Sequence, residues 1–395
     1  MSGGATGTLR DLSLPAVVAG FVAVLVGFTS SVAIVFAAAQ AVGASPAQTT
    51  SWMWALGLGM GVTSIGLSWW YRQPVLTAWS TPGAALIAGT QGLTMGEAVG
   101  AFVACGLLIV LVGVTRVFER VMDRIPQAIA AALLAGVLAR FGLDAVGAVK
   151  TAPLLVTVMT AAFLVGRRVW PRYAVLGVLL AGIVVAALQG RLALAQVNWA
   201  WAVPVWTAPV FTASAFVDLA LPLFVVTMAS QNLPGVAAQR AAGYATPVSP
   251  PVVVTGVASV LLAPFGGYAL NLAAITAAIC MGREASEDPA RRYMAAVSAG
   301  GFYVALGLAG GAVVGLLQAF PRELVLAVAG LALLGTIAGG LATALKDERH
   351  RDAAGLTFLV TLSGVTLAGV GPAFWGVVAG AAALLVQQYR SRPAA

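Results

Sequence analysis

Charge, histidine and cysteine are all scarce in this chain. Its 395 residues include 21 Lys or Arg and 13 Asp or Glu, 9% in all, against about 25% in a soluble domain. That excludes a soluble globule, whose surface would need roughly three times as many charges. The single histidine, His350, lies in the charged run Lys346–Asp352, where a solvated surface role is expected rather than a proton relay. With no HExxH pair and no GxxxxGK[ST] run, neither a zinc hydrolase nor a nucleotide-driven pump is supported. Cys105 and Cys280 both sit inside apolar runs, so no disulfide framework and no Cys/His metal cluster can be built from them. No metal, cofactor or enzymatic centre is expected. The net charge of +8 is too thin, and too confined to short segments, for a nucleic-acid partner.

Apolar residues fill the chain instead. Hydrophobic types make up 60%, with 46 glycines besides, and the mean hydropathy is +0.97. The lipid bilayer is therefore the expected surroundings, and an all-α integral membrane protein the expected class, because helices satisfy their own backbone polar groups in hydrocarbon. Met1 to Asp11 is a polar lead without a small-residue cleavage site, so the first helix is expected to stay as an anchor. A crossing needs about 20 residues. The sequence divides into 14 spans near 15–42, 47–70, 74–90, 95–117, 126–142, 152–167, 172–190, 212–234, 249–265, 267–281, 290–317, 322–344, 354–370 and 372–389. With a cytoplasmic N-terminus this division puts 17 of the 21 basic residues on the inner side and leaves Arg140, Lys150, Arg191 and Arg322 outside. Such a bias is the positive-inside pattern, and both termini are expected in the cytoplasm.

The polar, Trp-rich stretch Gln196–Thr212 splits the spans seven and seven. An odd number per half inverts one half relative to the other, which is the signature of an inverted repeat. Pro126 and Pro321, 195 residues apart, each break the chain before the fifth span of a half. The third span of each half is short, one beginning at Pro74 and the other at Gly267, 193 residues later. In the first, Pro82 suits the first turn of a helix with Ser80 or Thr81 as N-cap, so Pro74–Trp79 is expected extended and Pro82–Gly89 helical. The second is expected to match it. Extended backbone at membrane depth is tolerated only where protein or a wet cavity satisfies it. A pair of broken spans 3 and 10, each a short strand plus half-helix, therefore points to a substrate site that favours an anion at the helix N-termini.

Three runs carry a resemblance to a known family: Thr77–Gly83 (TAWSTPG), Leu221–Gly235 (LPLFVVTMASQNLPG) and Gly266–Ile279 (GGYALNLAAITAAI). They resemble the third, eighth and tenth spans of the benzoate:proton symporter (BenE-type) family, within the 7+7 inverted-repeat fold of nucleobase and anion transporters. The resemblance implies a core domain of residues 1–124 and 210–318 and a gate domain of residues 125–209 and 319–395, one moving against the other. It implies a small aromatic carboxylate and protons as partners, a bacterial-type inner membrane as location and, as in related folds, a homodimer. Nucleobase permeases of this fold carry carboxylates in the eighth and tenth spans, whereas here those places offer Gln231, Asn232 and Asn271. Amides donate N–H groups to a carboxylate ligand without the repulsion of Asp or Glu, which favours an anionic substrate.

The expected substrate-binding set is Phe28, Ser30, Ser31, Trp79, Ser80, Thr81, Phe224, Thr227, Gln231, Asn232, Tyr268 and Asn271. Phe28, Trp79, Phe224 and Tyr268 would hold the ring. Asp218, within the eighth-span region, is the candidate proton carrier; Glu97 and Asp144 are expected at interfaces. Arg140 is expected to snorkel from the end of the fifth span without a role. Trp52, Trp54, Trp69, Trp70, Tyr71, Trp199, Trp201 and Trp206 read as interfacial anchors. Proton-coupled uptake of an aromatic carboxylate is the leading function. A facilitator or exchanger of small organic or inorganic anions is the alternative, favoured by the missing central carboxylate.

Overall fold

The computed structural model describes residues 11–90, 92–192, 201–309, 320–367 and 371–389. The polar lead through Arg10, Trp199 and the charges Arg390 and Arg392 lie outside the described residues, as do the side chains of Ser30 and Arg172. Helix α1 (Leu14–Ala41) starts at Ser13, whose Oγ accepts the Ala16 N–H, with Pro15 in the first turn. Helix α2 (Pro46–Tyr71) starts from a capping box of Ser45 and Gln48. The chain then passes through strand β1 (Thr77–Trp79) into α3 (Thr81–Gly89), where Ser80 is the N-cap, its Oγ accepting the Gly83 N–H at 3.1 Å. Helices α4 (Met95–Val114), α5 (Val117–Met122), α6 (Gln127–Gly147), α7 (Pro153–Val169) and α8 (Ala174–Leu188) follow. Further along the chain come α9 (Ala213–Ala241), α10 (Ser249–Leu262), β2 (Leu270–Leu272) and α11 (Ile275–Met281). The chain ends with α12 (Tyr293–Ala309), α13 (Arg322–Lys346), α14 (Arg351–Ser363) and α15 (Pro372–Tyr389).

Among the described residues four helices are long and apolar enough to cross a membrane by length and composition: α4, Gln127–Lys150, α9 and α13. Shorter apolar helices run over Leu14–Phe28, Ala174–Leu188, Ser249–Phe265 and Pro372–Gln387. Two boundaries differ from the sequence reading. Helix α6 continues to Gly147 rather than stopping near 142, and α14 ends at Ser363 because Gly364 turns left-handed at φ +74°.

Glycine seams fix the helix pairs. A Cβ on Gly57 of α2 would lie 2.6 Å from Gly307 Cα of α12, and one on Gly61 would lie 2.7 Å from Gly300 O. Between α4 and α10, a Cβ on Gly106 would lie 3.1 Å from Gly256 O. Lipid offers no hydrophobic drive between helices, so this backbone proximity and the dispersion it allows hold the pairs. A second set of helices packs α6 against α13 and α14, α14 against α15, and α7 against α8. The two sets meet where α6 touches the last third of α9 and α13 touches α1.

At the centre β1 and β2 pair antiparallel, with Thr77 opposite Leu272, Ala78 opposite Asn271 and Trp79 opposite Leu270. A two-stranded ribbon leaves outer edges unpaired, and side chains from the helices close them. Ser64 Oγ of α2 accepts the Thr77 N–H at 3.0 Å, and Thr77 Oγ1 donates to Met60 O at 3.0 Å. On the other side Ser259 Oγ of α10 accepts the Leu270 N–H at 2.8 Å, and Asn232 Oδ1 of α9 accepts the Leu272 N–H at 2.9 Å. Every one of these groups is buried, where an orphaned N–H would cost about 1–3 kcal/mol.

Helix α9 contains two π turns, Phe216–Ala220 and Met228–Asn232, each followed within two residues by a proline, Pro222 or Pro234. Proline removes an N–H and crowds the carbonyl four residues back. The ladder shifts register before each: Leu221 N–H reaches Phe216 O, and Leu233 N–H reaches Met228 O.

Candidate functional site

A cavity of about 510 Å³ opens between α1, the ribbon, the first residues of α3 and α11, α6, α9 and α12. This lies within the ~300–1,000 Å³ range of small-ligand sites. Of the sequence-derived set, Phe28, Ser31, Trp79, Thr81 and Gln231 line it. Phe28 and Trp79 meet edge-to-face, ring centroids 4.7 Å apart, and Tyr303 lies 5.9 Å from Phe28 on the far side. The Trp79 indole N–H donates to Ser31 Oγ at 3.0 Å, and that hydroxyl donates to Gly27 O at 2.7 Å, so the indole is held in one orientation. Thr81 is the first residue of α3, whose N-terminal end carries partial positive charge. Among the described residues no Asp or Glu lines the cavity.

The other described residues of the set do not line the cavity. Ser80 and Thr227 are buried and bonded to each other, Thr227 Oγ1 donating to Ser80 Oγ at 3.0 Å, which ties α9 to the cap of α3. Asn232 holds the edge of β2, and its Nδ2 is turned to Met228 Sδ. Asn271 Nδ2 donates to Ala269 O at 3.1 Å, while its buried Oδ1 has no partner among the described residues. Phe224 packs against the core. Tyr268 is fully buried against Trp52 and Phe102, at 5.7 and 5.8 Å, with its hydroxyl unpaired among the described residues. Ser30's side chain lies outside the described residues.

Trp52 is a correction to the sequence reading. It is 1% exposed, an aromatic core residue rather than an interfacial anchor. It faces inward because Gly266, at φ +92°, leaves the space its ring fills: a Cβ there would lie 1.7 Å from Trp52 Cδ1. Trp70, Trp201 and Trp206 are exposed, as anchors would be. Glu97 serves as the N3 residue of the α4 capping box with Thr94. Asp218 is exposed on the first π turn of α9 and does not line the cavity. His350 pairs with Asp347 at 2.7 Å in the exposed α13–α14 loop, and that hydrogen bond holds the Asp347 carboxyl below the usual range.

Sequence reasoning missed Met60, Arg140, Phe141, Thr276 and Tyr303, all on the cavity wall. Arg140 is the notable one, since α6 turns it to the cavity and places its guanidinium against Gly364, where a Cβ would lie 1.9 Å from Nη1. The apolar run of α6 gave no sign of that orientation.

A family model described as benzoate membrane transport protein matches residues 10–386. The chain is 50% identical over 379 residues to the inner membrane protein YdcO of Escherichia coli (strain K12), covering 96% of this chain and 97% of that one. It is 40% identical over 378 residues to the benzoate membrane transport protein of Acinetobacter baylyi, covering 95% and 96%. Among solved structures it is similar to the transmembrane domain of a cyanobacterium bicarbonate transporter, BicA, at 13% identity and a TM-score of 0.44, covering 94% of this chain and 98% of that one. It is also similar to SLC26A9, at 11% identity and a TM-score of 0.49, covering 98% and 67%.

Proposed function

The chain belongs to the benzoate membrane transport family, and from that premise we propose that it imports benzoate or a related aromatic carboxylate across a bacterial inner membrane together with protons. It is a transporter and not an enzyme. The observation that carries the substrate reading is the cavity wall: an aromatic pair, Phe28 and Trp79, beside Ser31, Thr81 and Gln231, with no carboxylate among the described residues to repel an anion. The ring packs on the aromatic pair, and the carboxylate is held by hydroxyl and amide donors beside the positive end of α3.

In this reading the helices make 14 crossings as an inverted 7+7 repeat, with β1–α3 and β2–α11 as the broken third and tenth spans. Support comes from matching local chemistry in the two halves. Ser64 and Ser259, 195 residues apart, each accept the N–H of the first strand residue, Thr77 or Leu270, 193 residues apart. The seams agree, because α2 pairs with α12 and α4 with α10, contacts that an inverted repeat would exchange. The set containing α1–α4 and α9–α12 is the core and the set containing α6–α8 and α13–α15 the gate. Because Asp218 stands off the cavity, the proton is carried by the substrate carboxyl or by water in the cavity, and Asp218→Asn is expected to leave gradient dependence intact.

The test is uptake of radiolabelled benzoate into proteoliposomes with an inside-alkaline gradient, with and without a protonophore, against empty liposomes that report passive permeation. Protein-dependent accumulation abolished by protonophore is expected. Uptake that only equilibrates would favour the facilitator, which the lack of a wall carboxylate also suits. Transport of uracil or sulfate but not benzoate would overturn the substrate assignment.

A further inference from the structure

Arg140 is a cation on the wall of the cavity, and the proposed transport step as argued so far does not use it. It sits on α6, the helix of the second set that touches α9, while the aromatic pair sits on α1 and β1 of the first set. Among the described residues no carboxylate lies within salt-bridge distance of it; the ion pairs of the chain involve Arg72, Arg167, Arg191, Arg240, Arg291, Arg351 and His350. The guanidinium rests instead against Gly364, the left-handed residue that ends α14. The C-terminal end of that helix presents carbonyl oxygens and partial negative charge. This contact stabilises the cation only partly, since a dipole end is worth well under a full counter-charge. An arginine within a span is costly unless paired, and such residues mark ligand paths.

We propose that Arg140 is the residue that reads the substrate's carboxylate, reaching from the gate across the cavity to a ring seated on Phe28 and Trp79. This rests on the reading of the cavity as an aromatic-carboxylate site. A planar guanidinium matches a carboxylate with two parallel N–H···O bonds, a fit that lysine does not reproduce. The pairing also joins the two helix sets through the ligand: ring on the core, carboxylate on the gate. It selects acids over neutral aromatics of the same shape, because an amide or alcohol would leave the guanidinium without its counter-charge. Gly364 has a defined part, as any side chain there would displace the guanidinium.

The test is equilibrium binding of radiolabelled benzoate to purified protein, with the unliganded melting temperature measured in parallel, for wild type, Arg140→Gln and Arg140→Lys. A charge-assisted bidentate pair predicts that Arg140→Gln binds benzoate roughly ten- to a hundredfold more weakly at an unchanged melting temperature. Arg140→Lys falls between it and wild type. Arg140→Gln binding within about twofold of wild type overturns the inference, whatever happens to its melting temperature. Should Arg140→Gln fail to fold, Arg140→Lys decides: several-fold weakening supports the fork, and wild-type affinity overturns it. Absence of benzoate binding by wild type itself would overturn the substrate reading instead, so the two failures are distinguishable.

Discussion

Residues only a few positions apart in the ribbon and in α9 have opposite tasks. Trp79 and Thr81 line the cavity while Ser80 between them is buried in the cap of α3; Gln231 lines it while Asn232 holds the edge of β2. Two substitutions separate wall from scaffold. Trp79→Leu removes the edge-to-face partner of Phe28 and is expected to weaken benzoate binding about two- to tenfold, the worth of one aromatic contact. Tyr268→Phe removes a buried hydroxyl that has no partner among the described residues, so the melting temperature is expected to hold or rise and uptake to stay at the wild-type rate. Loss of uptake in Tyr268→Phe would return that tyrosine to the ligand site. Trp79, Thr81 and Gln231 lie in the family-like runs and Phe28 and Ser31 in the first span, but the sequence did not say which side chains face the cavity. A π turn shifts the phase of α9 before Pro234, and strand residues alternate faces, so composition alone could not assign the amides. Arg140 escaped for a related reason. A lone arginine near a helix end reads as a snorkelling anchor until its neighbour Gly364, more than two hundred residues later, is seen to make room for it.

Among the elements, glycine placement decides which helices touch. Gly61 and Gly66 lie on the same helix, yet a Cβ at Gly61 would lie 2.5 Å from Val304 and 2.7 Å from Gly300 O, whereas one at Gly66 meets nothing within 4 Å. Gly61→Val is expected to destabilise the α2–α12 pair by about 1–3 kcal/mol, and Gly66→Ala to be neutral or stabilising by up to about 1 kcal/mol. Thermal unfolding in detergent compares them; equal melting temperatures would contradict the seam. The extended stretch before Pro82 and the helix after it were readable, because proline at a helix start and a Ser cap are local signals. Helix pairing was not readable from a chain with 46 glycines, since only the three-dimensional partner tells a seam glycine from an idle one. The inward turn of Trp52 was hidden for the same reason.

For the whole molecule, the proposed motion of core against gate requires their contacts to break and reform. One such contact joins Ser230 of α9 to the start of α15: Gly371 N–H donates to Ser230 Oγ at 2.8 Å. The native Cys105 and Cys280 are buried, so a Ser230→Cys, Gly371→Cys double variant can be oxidised selectively. Its cross-link is expected to stop uptake, with recovery on reduction; full transport by the cross-linked protein would contradict the two-body movement. The class of molecule was legible from composition, and proline spacing with the distribution of basic residues suggested the inverted halves that the proposed reading adopts. The cavity itself became apparent only when helices distant in sequence were brought together around the ribbon. The most direct measurement is an experimental structure of the protein with benzoate bound. The ring is expected against Phe28 and Trp79, with its carboxylate toward Arg140, Thr81 and Gln231. A benzoate seated elsewhere, or a ring turned away from that aromatic pair, would contradict it.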